Sequence, residues 1–119
     1  MSDTACPFCE IVAGRAPAKI VHEWDDAVAF VPLNPVAEGH ALVVPRKHVA
    51  SYVVDPEVSA LTMRRAAELM RWTHRPSNII TSAGPEATQS VFHLHLHIVP
   101  RAKDDGLALP WHSGKGNHK

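Results

Sequence analysis

The chain has 119 residues, enough for one domain with a real core and too few for two. Twelve basic residues balance twelve acidic ones, so a net charge of zero offers no footprint for nucleic acid or an anionic membrane, and any phosphate recognition must be local. No apolar run is long enough to span a bilayer and the opening Met-Ser-Asp-Thr-Ala lacks a secretion signal, so a cytoplasmic protein without a structural disulfide is expected.

Residues 7–13 read as a short helix, with Pro7 in its first turn and Gly14 as its stop. The Cys6-Pro7-Phe8-Cys9 sequence that opens it has three readings: half of a zinc site, two unliganded buried cysteines, or a thiol redox pair. The redox pair needs a preceding strand, and five residues leave no room for one. Zinc needs two further ligands, for which histidine is the available type; the chain has nine.

A strand over 19–23, a turn at Trp24-Asp25-Asp26 and a returning strand over 27–33 make a hairpin. Asn34-Pro35 and Glu38-Gly39 punctuate a loop, and 41–44 is strongly β-like. Asp55-Pro56-Glu57 starts a long helix, with an N-cap acid, proline at the first position and a second acid near the positive end. It runs to about residue 73. Val58, Leu61, Leu69 and Trp72 line one side, Ala60, Met63, Ala67 and Met70 an adjacent one, and Arg64, Glu68, Arg71 and Arg75 a polar stripe. An apolar arc this wide suits either a well-buried helix or one with a second contact, such as a dimer partner. Residues 78–82 read as another strand, and Ser82-Ala83-Gly84-Pro85 as a loop.

The segment 91–99, Val-Phe-His-Leu-His-Leu-His-Ile-Val, carries the most chemistry. Along one strand His93, His95 and His97 share a face, while Phe92, Leu94, Leu96 and Ile98 take the other and can be buried. Neighbouring histidines then lie about 7 Å apart and the outer pair about 13 Å apart, so the outer two cannot serve one small centre. At least two jobs lie along the row. A solvated face is a poor explanation, because imidazole is not a strong strand former. A buried row would need a partner for every ring nitrogen. A catalytic zinc held by His93 and His95 would leave the cysteines without a purpose. After Arg101 the chain turns polar and Gly-rich, and disorder is expected over 113–119. The expected architecture is α+β: a mostly antiparallel sheet, one long helix against it and a short N-terminal helix.

Together these features resemble the histidine triad (HIT) superfamily, small nucleotide-binding hydrolases and transferases named for a His-φ-His-φ-His-φ-φ strand. His93 to Val99 matches that pattern in full. Further matches are the run from Cys6 to Gly14, Pro17-Ala18-Lys19, the run from Pro35 to Pro45, and Gln89-Ser90-Val91-Phe92. The likeness spans roughly residues 6–101. It implies a HIT-like fold with a five-stranded sheet, a single HIT domain over 1–104, and a partly disordered tail over 105–119. It also implies a homodimer that binds a purine nucleotide or nucleotide conjugate, with no nucleic-acid or membrane partner.

The resemblance assigns roles as well. His95, the middle histidine, would be the nucleophile that attacks the α-phosphorus of an AMP–X substrate, such as an adenosine phosphoramidate or adenylate, through a nucleotidyl-histidine intermediate. Imidazole, with an ordinary pKa of about 6.5, is nucleophilic at neutral pH without a strong base. A backbone carbonyl holding the far ring nitrogen would aim the reactive one. His97 would bind phosphate oxygen and support the leaving group, Ser90 would bind phosphate, and His40 would complete the hydrogen-bonded network. Histidine at 97, where a transferase branch has glutamine, favours hydrolysis. Phe30 and Leu33 would flank the base. Gln89, Ser90 and His97 would complete the nucleotide site. The CxxC resembles that of bacterial members with a structural zinc, whose matching ligands here are Cys6, Cys9, His48 and His93. The pattern departs at Pro32, where members usually carry a ribose-binding acid or amide, and at Ser82, where asparagine is common; Asn34 is the nearby substitute. Alternatives of related chemistry are a dinucleoside polyphosphate hydrolase and a nucleotide-binding scaffold with little catalysis.

Overall fold

The protein is described here by a computed structural model covering residues 6–115. Helix α1, Pro7–Val12, leads into a five-stranded sheet of β1 Ile20–Glu23, β2 Ala27–Phe30, β3 Ala41–Pro45, β4 Ser77–Ile80 and β5 Leu96–Pro100. Helix α2, Pro56–Arg71, connects β3 to β4. Strand order is β1-β2-β3-β5-β4 and every pairing is antiparallel. Asp55 caps α2 through its carboxylate, which accepts from the N–H groups of Glu57 and Val58.

β2 and β3 are buried along their whole length, because both faces of the sheet are covered. On one face Val58, Ala66 and Leu69 of α2 pack on Ala29, Val43, Leu96 and Ile98. On the other, Phe8, Ile11 and Val12 of α1 cover Val28, Phe30, Leu42 and Val44. The second face holds the histidines. His97 is paired in register with Leu42, so the two side chains share a side of the sheet.

Several expected boundaries shift for identifiable reasons. The second strand stops at Phe30 rather than residue 33, where Pro32 offers no N–H for a ladder. The helix buries Val58, Thr62, Ala66 and Leu69, a narrower stripe than expected, and Trp72 lies beyond its end at 66% exposure. Thr62 is tolerated at the centre because its hydroxyl donates to the Val58 carbonyl at 2.7 Å. The histidine strand begins only at Leu96, and 91–95 is irregular, so Phe92 is exposed while Leu94 stays buried. That segment leaves the sheet because its partners lie in the 48–50 loop. The Leu94 N–H donates to the Val49 carbonyl at 2.8 Å, and the buried Gln89 amide donates to the Ala50 carbonyl at 2.6 Å.

The described residues after β5 are tied together by hydrogen bonds. Arg101 donates to both Asp105 carboxylate oxygens, to Asn78 and to the Leu107 carbonyl, while Asp105 also accepts from the N–H groups of Ala102 and Leu107. Those donors hold the Asp105 carboxyl well below the usual carboxylate range. A closed turn follows, with Gly106 N–H on the Gly114 carbonyl and a bridge between Leu109 and His112. Of the stretch expected to be disordered, residues 113–115 belong to that turn and 116–119 lie outside the described residues. Among the described residues no helix is long and apolar enough to cross a membrane.

Candidate active site and metal centre

The three histidines meet different partners, and the difference begins in the backbone. At one end His93 is fully buried. Its Nε2 lies 2.8 Å from the Pro45 carbonyl oxygen. A carbonyl can only accept, so the ring proton sits on Nε2 and Nδ1 presents its lone pair. That lone pair faces Cys6 Sγ and Cys9 Sγ, each at 3.4 Å, and His48 Nδ1 at 3.1 Å. Cys9 Sγ is 3.2 Å from His48 Nδ1. Cys6 is the N-cap of α1, and one helical turn brings Cys9 back beside it. The loop after β3 supplies His48, and the irregular segment before β5 supplies His93.

These four ligand atoms all lie within 4.8 Å of one another, and the group could hold a metal ion. A tetrahedral centre with metal–sulfur bonds of about 2.3 Å and metal–nitrogen bonds of about 2.0 Å has ligand–ligand edges of roughly 3.3–3.8 Å. The spacings of His93 Nδ1 to Cys6 Sγ, Cys9 Sγ and His48 Nδ1, and of Cys9 Sγ to His48 Nδ1, at 3.1–3.4 Å, are close to those edges. His93 Nδ1, held as a lone pair by the Pro45 carbonyl, converges with His48 Nδ1 at 3.1 Å, and a cation would take both nitrogens as donors. Thiolates with imidazoles are a donor set that suits zinc.

At the other end sits a relay of two rings. The Val36 N–H donates to His40 Nδ1 at 3.0 Å, so the proton of the neutral His40 ring is on Nε2. That Nε2 lies 3.0 Å from His97 Nδ1, which must accept, leaving the proton of neutral His97 on its own Nε2. Burial, then the proximity of His95 and His40, lowers the His97 pKa to about 4. Burial also lowers that of His40. Both rings are therefore neutral at pH 7, and His97 offers Nε2–H as an uncharged donor.

His95, between the two, is held in the opposite tautomer. Its Nδ1 lies 2.7 Å from the His93 carbonyl oxygen, so Nδ1 carries the proton and Nε2 keeps its lone pair. Its ring centroid is 5.2 Å from that of His97 and 5.0 Å from Phe8, which meets it edge-on. Phe8 also meets Phe30 edge-on at 5.4 Å and His93 at 6.2 Å. Phe8 thus ties the cysteine motif to the middle histidine, a role visible in sequence only as the residue between the cysteines. The Thr81 hydroxyl donates to the His95 carbonyl at 2.8 Å, a contact with no signal in the sequence pattern.

The remaining expected site residues are less tightly grouped. Phe30 is buried against Phe8. Leu33 is 97% exposed and Asn34 exposed on the loop after β2, with Pro32 beside them. Ser82 is half-buried just beyond β4, and Ser90 is exposed ahead of the histidine segment. Gln89 spends its amide on the loop: its oxygen accepts from Gly84 N–H and its nitrogen donates to the carbonyls of Ala50 and Val91.

Comparison with known proteins places this geometry in context. The family model for the HIT domain matches residues 13–104. An uncharacterised HIT-like protein of Methanocaldococcus jannaschii is 36% identical over 106 residues, covering 85% of this chain and 82% of its own. An adenosine 5'-monophosphoramidase of Saccharomyces cerevisiae is 32% identical over 117 residues, covering 92% of this chain and 71% of that protein. Among solved structures, a zinc-bound histidine triad family protein of Mycobacterium smegmatis superposes with a TM-score of 0.78 at 35% identity, covering 91% of this chain and 83% of that one.

Proposed function

The chain belongs to the HIT-domain family, and from that premise we propose that it is a nucleotidyl hydrolase cleaving AMP–X substrates at the α-phosphate, with His95 as nucleophile. The observation that carries this reading is the pair of opposed tautomers: His95 presents a bare Nε2 beside a His97 that presents Nε2–H. One is a nucleophile and the other a donor to phosphoryl oxygen, and neutral rings do both at pH 7.

Nε2 of His95 forms a bond to the α-phosphorus as the P–X bond breaks, X leaving with the electron pair and taking a proton from water. The His93 carbonyl stabilises the positive charge that develops on the ring, because it already accepts from Nδ1–H. His97 donates to a non-bridging oxygen or to X, while His40 keeps it in the donor tautomer. Water then attacks the same phosphorus, releasing AMP and restoring the neutral ring. Phe30, Leu33 and Asn34 would contact base and sugar; Ser90 and Ser82 would contact phosphate; Gln89 would hold the loop that presents Ser90. Stacking on such apolar groups tolerates different purines.

Zinc is the metal we assign to Cys6, Cys9, His48 and His93, in a structural role because four protein ligands leave no open position. A homodimer is supported by exposed Met63 on the outer face of α2 and exposed Ile80 on the edge strand β4. A cytoplasmic location completes the proposal.

The test is turnover of a fluorogenic adenosine phosphoramidate by the wild type and by His95→Ala, with intact mass spectrometry. Turnover should fall to background in the variant, and a transient adduct one AMP heavier should appear in the wild type alone. AMP binding with neither turnover nor adduct would replace this proposal with the scaffold alternative.

A further inference from the structure

His95 is not in a strand, although two of its neighbours in the row are fixed by strong local constraints. The β4–β5 ladder pairs Ser77 with Pro100, Asn78 with Val99, Ile79 with Ile98 and Ile80 with His97, and there it stops. The next residue on β4's side is Thr81, and its side chain continues where the backbone does not: Oγ1 donates to the His95 carbonyl at 2.8 Å. On the other side, Leu94 N–H is held by Val49. The segment that carries His95 is therefore held by the loop after β3 on one side and, on the other, by the Thr81 hydroxyl beside the point where Leu96 pairs with Val43 of β3. The ring itself is attached to the same short segment, through Nδ1–H on the His93 carbonyl.

We infer that Thr81 is a positioning residue for the nucleophile: its hydroxyl anchors the His95 carbonyl and so fixes the φ/ψ of residues 94–95, the ring's direction and its Nδ1–H tautomer. This inference rests on the proposed role of His95. Anchoring matters here because a nucleophile must meet phosphorus in line, and a misplacement near 1 Å costs on the order of a hundredfold in rate. Thr81 is half-buried and its β-branched stem suits an extended chain, so valine fills the same space without the donor.

The experiment compares the wild type with Thr81→Val and Thr81→Ser in two independent readouts. One is the single-turnover rate of nucleotidyl-His95 formation from an adenosine phosphoramidate. The other is the long-range proton–nitrogen spectrum of the His95 ring, which reports its tautomer without any substrate. The expected result is a roughly tenfold slower adduct in Thr81→Val, as one lost hydrogen bond allows, with KM within about twofold, as for an interaction that acts only on the chemical step. A mixed His95 tautomer should accompany it, and Thr81→Ser should restore both. A Thr81→Val protein with the wild-type rate and a single tautomer overturns the inference. So does a Thr81→Ser protein as impaired as the valine variant, because then packing rather than the hydroxyl matters. Should the wild type form no adduct, the nucleophile proposal itself fails, and the ring spectrum alone still decides whether Thr81 sets the tautomer. Should Thr81→Val not fold, Thr81→Ala replaces it in both readouts.

Discussion

Acidification should weaken this fold through His97 in a way that one substitution isolates. The folded His97 has its pKa lowered to about 4, first by burial and then by its two histidine neighbours. The unfolded chain titrates near 6.5. A group whose folded pKa is depressed leaves the unfolded state to take the proton first, so stability is intact above about 6.5, falls between about 6.5 and 4, and loses nothing further below. A tenfold difference in proton affinity between the two states is worth about 1.4 kcal/mol, and the ring is only half-buried, so screening reduces the full value to about 1–2 kcal/mol. The assay is urea denaturation of the wild type and His97→Gln at pH 7.5, 6.5, 5.5 and 4.5. Titration of groups distant from His97 contributes to both proteins and drops out of the comparison, which therefore reads His97 together with the His40 ring hydrogen-bonded to it. The gap between the two stabilities should change by about 1–2 kcal/mol in favour of the variant as pH falls through this window. Parallel pH profiles would refute the claim that His97 is held neutral.

Two further outcomes follow from other parts of the molecule. Cys9→Ser should reduce bound zinc, measured by elemental analysis, to well below one ion per chain, and lower Tm by more than about 8 °C, since a structural metal supplies several kcal/mol to a small domain. An unchanged metal content would remove Cys9 from the ligand set. Arg101→Ala takes away the donors to Asp105, Asn78 and the Leu107 carbonyl. It should release the segment after residue 101 to limited proteolysis and lower the urea midpoint. Equal protease resistance in variant and wild type would mean the tail is held by other contacts.

Much of this protein was legible from residue order alone. The CxxC, the spaced histidines and the capped helix are local signals, each carried by a few neighbouring residues. The Asp55 cap and the helix it starts needed no tertiary information, because hydrogen bonds within one turn decide them. Tertiary structure decided what depends on partners distant in sequence. Segment 91–95 has the alternation of a strand but pairs with the 48–50 loop, so Phe92 is exposed and His95 hangs outside the ladder. Thr62 rather than Leu61 sits under the sheet, because helix rotation is set by the whole packed face. The segment just after β5 meets a guanidinium whose partners, Asn78 and Asp105, lie on both sides of Arg101 in the chain. Above all, the tautomers of His93, His95 and His97 rest on the Pro45 and His93 carbonyls and, through His40, on the Val36 N–H. Backbone groups are present at every position and leave no mark in composition or spacing, so only the folded chain shows which of them a ring nitrogen meets.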